Sequence, residues 1–77
     1  MRIRDMEVGQ SARIVRFGEG DRHYRQKLIQ MGMTRGVVFS LIRKAPLGDP
    51  LEVNCGGMLL SLRKGESDGV EVEVCQV

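Results

Sequence analysis

Pro46, Gly48 and Pro50, alternating with Leu47 and Asp49 in the segment RKAPLGDPLEV (Arg43 to Val53), leave the backbone little choice of path. Pro46 holds φ where the second position of a turn needs it, Gly48 suits the fourth position of a type I turn, and Pro50 steers Asp49 into an extended conformation. The loop is predicted to be stiff. On its flanks stand VVFSLI (Val37 to Ile42), rich in β-branched and aromatic residues, and the alternating LEVNC (Leu51 to Cys55), so the corner joins two strands. What this segment specifies is a shape, without a reactive group.

A chain of 77 residues is one domain, residues 1–77, and a domain this small buries only about 60% of its unfolded surface. Its core leaves little stability to hold a deep cavity or a strained active site, which favours a module that presents a surface. The formal charge of +2 is too small to imply a nucleic-acid partner, but residues 1–44 sum to +6 and residues 45–77 to −4. Charge blocks in sequence need not be patches in space. The expected outcome is solvated strand faces that intermix on folding, and the competing one is a basic face led by Arg22, Arg25 and Lys27.

No run approaches the roughly 20 apolar residues that cross a bilayer. The start, MRIRDMEVGQ, has arginines with no apolar stretch behind them and does not read as a signal peptide, so a cytosolic protein is expected. Cys55 and Cys75 form no CxxC pair and are expected to be free thiols.

Along the chain, Met1 to Val8 reads as a lead-in, Val8-Gly9-Gln10 as a turn, and SARIVRF (Ser11 to Phe17) as the first strand. Gly18 and Gly20 break the pattern. Asp21 suits the N-cap of a helix from Arg22 to Met31, with Gly32 at its C′ position. Tyr24, Leu28 and Met31 share one side of that helix and should lie on the sheet, while Ile29 falls off the stripe between Arg22 and Arg25. Val37, Phe39 and Leu41 alternate with the apolar Val38 and Ile42, which predicts a strand covered on both faces. Gly56-Gly57 fits a two-residue hairpin turn. Counting outward pairs Cys55 with Met58, Val53 with Leu60 and Leu51 with Leu62, which points Leu59 outward. Lys64 to Gly69 reads as a connector before a closing strand from Val70 to Val74. The sum is a mostly β fold with one or two short helices: a small, SH3-like antiparallel β-barrel.

Candidate chemistry is sparse. His23, the single histidine, sits on the predicted solvent face of the helix, so no nucleophile-base pair assembles around it. Cys55 points inward and Cys75 outward, so they do not share a metal. GEGDR (Gly18 to Arg22) lacks the glycine spacing and Lys-Ser/Thr pair of a phosphate loop. Asp49 is expected to bond nearby backbone N–H groups and shape its turn. Tyr24, Phe17 and Phe39 are expected in the core, which removes the stacking platform that small nucleic-acid-binding barrels use. Neither a catalytic site nor a metal or cofactor site is predicted.

Taken together, YRQKLIQMGMTRGVVFSLI (Tyr24 to Ile42), the APLGDP corner, LSLRKGE (Leu60 to Glu66) and the closing strand resemble, in this order and spacing, the FeoA family. These are small accessory proteins of bacterial ferrous iron uptake. The resemblance implies an SH3-like barrel without catalytic activity that engages the cytosolic face or G-protein region of the membrane transporter FeoB. It would meet the membrane only through that transporter. Arg25, Ile29, Met33, Leu47, Asp49 and Leu59 are the candidate contacts, and the competing readings make Leu47 a plug for the barrel end and pack Met33 beneath the helix. Arg25 is also the candidate for an arginine supplied in trans to a GTP-hydrolysing partner. Self-association through an exposed sheet edge is left open. The alternatives are a nucleic-acid-binding barrel and a stand-alone metal-responsive domain similar to the C-terminal modules of iron-dependent repressors.

Overall fold

The computed structural model describes residues 1–18 and 22–75. Strands β1 (Ser11–Phe17), β2 (Val38–Lys44), β3 (Leu51–Cys55), β4 (Met58–Leu62) and β5 (Val70–Cys75) form one antiparallel sheet in the order β4-β3-β2-β1-β5. Helix α1 (Arg22–Gln30) links β1 to β2, and a single helical turn, α2 (Lys64–Ser67), links β4 to β5. The N-cap expected at Asp21 and the break at Gly20 lie outside the described residues.

The β3–β4 hairpin has the register counted from its turn: Cys55 opposite Met58, Val53 opposite Leu60 and Leu51 opposite Leu62. Gly56 and Gly57 both take positive φ, 61° and 85°, as a primed hairpin turn requires. At the corner, the Gly48 N–H donates to the Ala45 carbonyl at 2.7 Å and the Ala45 N–H to the Pro50 carbonyl at 3.1 Å, which closes the loop on itself. The Asp49–Pro50 peptide is cis.

The core runs along the inner face of the curled sheet. Ala12 and Ile14 of β1, Phe39 and Leu41 of β2, Leu51 and Val53 of β3, Leu60 and Leu62 of β4, and Val70 and Val72 of β5 alternate inward. Leu28 closes the cluster from α1, with Tyr24 and Met31 half-buried beside it, so the predicted helix stripe packs as expected.

Several expectations change. The lead-in is structural: Ile3–Asp5 forms a 3-10 turn, Ile3 and Met6 are fully buried, and the Val72 N–H donates to the Met1 carbonyl at 2.8 Å. Strand β2 is covered on one face only, because a single curled sheet has no second layer to shield the other; Val38 and Ile42 are 40% and 42% exposed. A bulge between Leu41 and Arg43 lets β2 bend at that point. The connector after β4 holds the helical turn α2. Of the aromatic residues only Phe39 is fully buried, since Phe17 and Tyr24 border a groove at the sheet's end.

Candidate docking surface

Residues of α1 and α2, with the end of β1 and the start of β5, line a groove of about 530 Å3. Of the residues that line it, Leu28 and Val70 are buried, Phe17 and Tyr24 are half-buried, and Arg25 and Glu66 are exposed. Burial pushes the Tyr24 phenol above its ordinary pKa, and the Glu66 carboxylate pushes it further in the same direction. Tyr24 is therefore a neutral hydroxyl at neutral pH. Asp49 and Arg63 act on the same phenol through their charges, so the corner, the end of β4, α1 and α2 converge at this place.

Asp49 ties the corner to α2 directly. Its Oδ1 accepts a hydrogen bond from the backbone N–H of Lys64 at 2.9 Å. Lys64 opens α2, and Arg63, its N-cap residue, offers no side-chain cap. A carboxylate from fifteen residues upstream in sequence thus does the capping. The expectation of local bonding within the corner is corrected: Asp49 joins two distant loops.

The other predicted contacts separate. Leu47 stands at the tip of the corner, 92% exposed. Arg25 and Ile29 lie one helical turn apart on α1, both exposed, with Ile29 at 39%. Leu59 points outward from β4, 69% exposed. Met33 is withdrawn into the core at 0% exposure and is not a surface residue. The Gly32 C′ turn, at φ 94°, reverses the chain so that the Met33 N–H bonds the Leu28 carbonyl at 2.9 Å, which carries its side chain under the helix. The exposed Val38, Ile42 and Met58 were not among the predicted contacts. Val38 and Ile42 lie on the face of β2 that no layer covers, whereas Met58 has the inward parity of Leu60 and Leu62 and is exposed where β4 meets the hairpin turn.

Charge distributes as strand faces. Arg13 pairs with Glu73 at 3.4 Å and Arg16 with Glu71 at 2.7 Å across β1 and β5, and Arg4 pairs with Asp68, so the basic first half and acidic second half intermix. Arg22, Arg25 and Lys27 form no ion pair with another described residue and leave α1 basic. Cys55 is buried, its thiol donating to the Gly32 carbonyl at 3.7 Å, and Cys75 is half-buried on β5. Among the described residues no group of His, Cys, Asp and Glu is placed to hold a metal ion, and no helix is long and apolar enough to cross a membrane.

A family model described as the FeoA domain matches residues 1–74. The chain belongs to the FeoA family. The solution structure of the FeoA protein from Chlorobium tepidum superposes with a TM-score of 0.91 at 36% identity, covering 99% of this chain and 71% of that one. The zinc complex of FeoA from Stenotrophomonas maltophilia, described as an SH3 domain protein, shares the fold at a TM-score of 0.81 and 24% identity, covering 95% of this chain and 89% of that one. This FeoA chain is therefore an SH3-like domain. It is also 32% identical over 74 residues to an Fe(2+) transport protein A/Fe(2+) transporter FeoB fusion protein of Porphyromonas gingivalis. That alignment covers 96% of this chain and spans 9% of the length of the fusion protein.

Proposed function

We propose that this FeoA domain is a non-catalytic accessory module of ferrous iron uptake that docks on the cytosolic part of a FeoB-type transporter and modulates it. The observation that carries the reading is the Porphyromonas gingivalis relative, in which a segment like this chain and the transporter are one polypeptide. Fusion raises the effective concentration of one module at the other to the millimolar range, and a separate chain achieves the same occupancy through a docking surface. The surface on offer is the basic, half-apolar side of α1 with Arg25 and Ile29, and the corner that carries Leu47. In this reading iron and nucleotide belong to the transporter, and this chain contributes shape, apolar contact and positive charge.

The test is co-purification of the tagged chain with detergent-solubilised FeoB from the same cell, comparing wild type with Leu47→Asp and Arg25→Glu. Wild type retains FeoB, and each variant loses at least about tenfold in affinity, equivalent to about 1.4 kcal/mol. Failure of wild type to retain FeoB overturns the adaptor reading. Full retention by both variants removes the corner and the helix from the interface.

A further inference from the structure

The sheet order β4-β3-β2-β1-β5 leaves a strand at each end, and the two edges differ. On β5, the Val72 N–H is taken by the Met1 carbonyl at 2.8 Å, and Glu71 and Glu73 place charge along the strand. These are devices that keep an edge from pairing with a foreign strand. Strand β4, Met-Leu-Leu-Ser-Leu, has none of them: it carries no charge and no proline, and its ladder with β3 runs without a bulge.

Hydrogen-bond parity says which groups this edge presents. Cys55 and Met58 flank the two-residue turn and form a hydrogen-bonded pair, so Val53 with Leu60 and Leu51 with Leu62 do likewise. The N–H and C=O of Leu59 and Ser61 then point away from β3. No other hydrogen bond among the described residues uses them. Leu59 and Met58, 69% and 59% exposed, add apolar surface to the same edge.

We propose that β4 is an association edge that pairs antiparallel with β4 of a second copy of this chain, about a twofold axis at Leu60. Twofold symmetry makes the edge complementary to itself. Leu59 of one copy lies opposite Ser61 of the other, and these residues exchange their outward N–H and C=O groups in both directions. Met58 falls beside Leu62. Arg63 and Lys64, the first charges beyond the strand, meet Gly57 and Gly56 of the other copy, so no like charges oppose each other. A second copy is the occupant because an uncharged strand selects no foreign partner by charge, whereas its bonding pattern matches itself. The inference stands apart from docking on the transporter and survives if that reading fails.

A pairing of single short strands buries less than the roughly 1,200 Å2 of a standard stable complex, which makes the dimer a weak one. Sedimentation velocity from about 10 μM to about 1 mM, the range in which weak association populates a complex, reads the mass. NMR amide exchange over the same series reads the site. The average mass rises toward that of a dimer, and the Leu59 and Ser61 amides become slower to exchange as concentration rises. Leu59→Lys, at an exposed position, weakens the dimer at least tenfold, and Ser61→Pro, which removes an edge N–H, does the same. A monomer throughout, or a dimer whose protection appears on β5 instead, overturns the proposal. So does a dimer that persists in Leu59→Lys. Protection of Leu59 and Ser61 by FeoB alone, with no self-association, assigns the edge to that partner and overturns pairing between copies.

Discussion

Asp49, in the proline corner, accepts the backbone N–H of Lys64, the first residue of α2, at 2.9 Å. One exposed carboxylate thereby ties the loop between β2 and β3 to the turn between β4 and β5. The same α2 supplies Gly65 and Glu66 to the border of the groove beside Tyr24.

Replacing Asp49 with Ala leaves the Lys64 N–H without its acceptor. The expected cost is about 0.5–1 kcal/mol, the low end for a lost cap because the site is exposed. Asp49→Asn retains an oxygen acceptor and recovers most of it. Urea unfolding of the pair measures the difference, and equal loss in both variants would show that charge, rather than the hydrogen bond, matters.

Met33 and Leu47 lie at opposite extremes of burial, 0% and 92% exposed. Met33→Ala is expected to destabilise the fold by about 2–4 kcal/mol, through lost transfer energy and the cavity left behind. Leu47→Ala is expected to leave stability within about 0.5 kcal/mol. Thermal melts of both variants decide it.

The cysteines should separate by reactivity. Burial raises the Cys55 thiol above its ordinary pKa, so near pH 8 little of it is thiolate and little is accessible. Mass spectrometry after iodoacetamide should find Cys75 modified first. Because the folded state holds the Cys55 proton more tightly, its contribution to stability is present below the unfolded thiol pKa of about 8.5 and declines as pH rises past it. A Cys55→Ala variant should lack that decline.

Arg4 grips Asp68 with two nitrogens, Nε meeting Oδ1 at 2.8 Å and Nη2 meeting Oδ2, with both side chains partly buried. Asp68→Asn is expected to cost about 1 kcal/mol at low salt and less at high salt. Denaturant midpoints at two ionic strengths test this, and a cost that ignores salt would point to packing instead.

Local features were legible without coordinates. Gly56-Gly57 admits the positive φ of a tight hairpin, and that turn alone determines every pair from Leu51–Leu62 to Cys55–Met58. The outward direction of Leu59 follows from the same count. Strand β1, the helix body and the Gly32 reversal were equally readable, since each rests on backbone preference and periodicity within a few residues. The FeoA resemblance was readable for the same reason, as ordered short motifs.

Burial followed different rules. Ile3 and Met6 sit in a segment with no strand or helix period, and they enter the core only because the 3-10 turn lies against α2 and β5. Val38 and Ile42 have core chemistry but no layer above them. Met33 suited a contact or a place beneath the helix equally well in sequence, and the turn at Gly32 draws it under the helix.

The amino-acid sequence by itself determined the turns, the strand register and the family, because steric limits on φ and ψ act between neighbours. Only the tertiary structure decided which apolar residues are covered, that Asp49 serves Lys64, and which sheet edge stays open. Those outcomes depend on segments brought together from distant parts of the chain, whose meeting no local preference encodes.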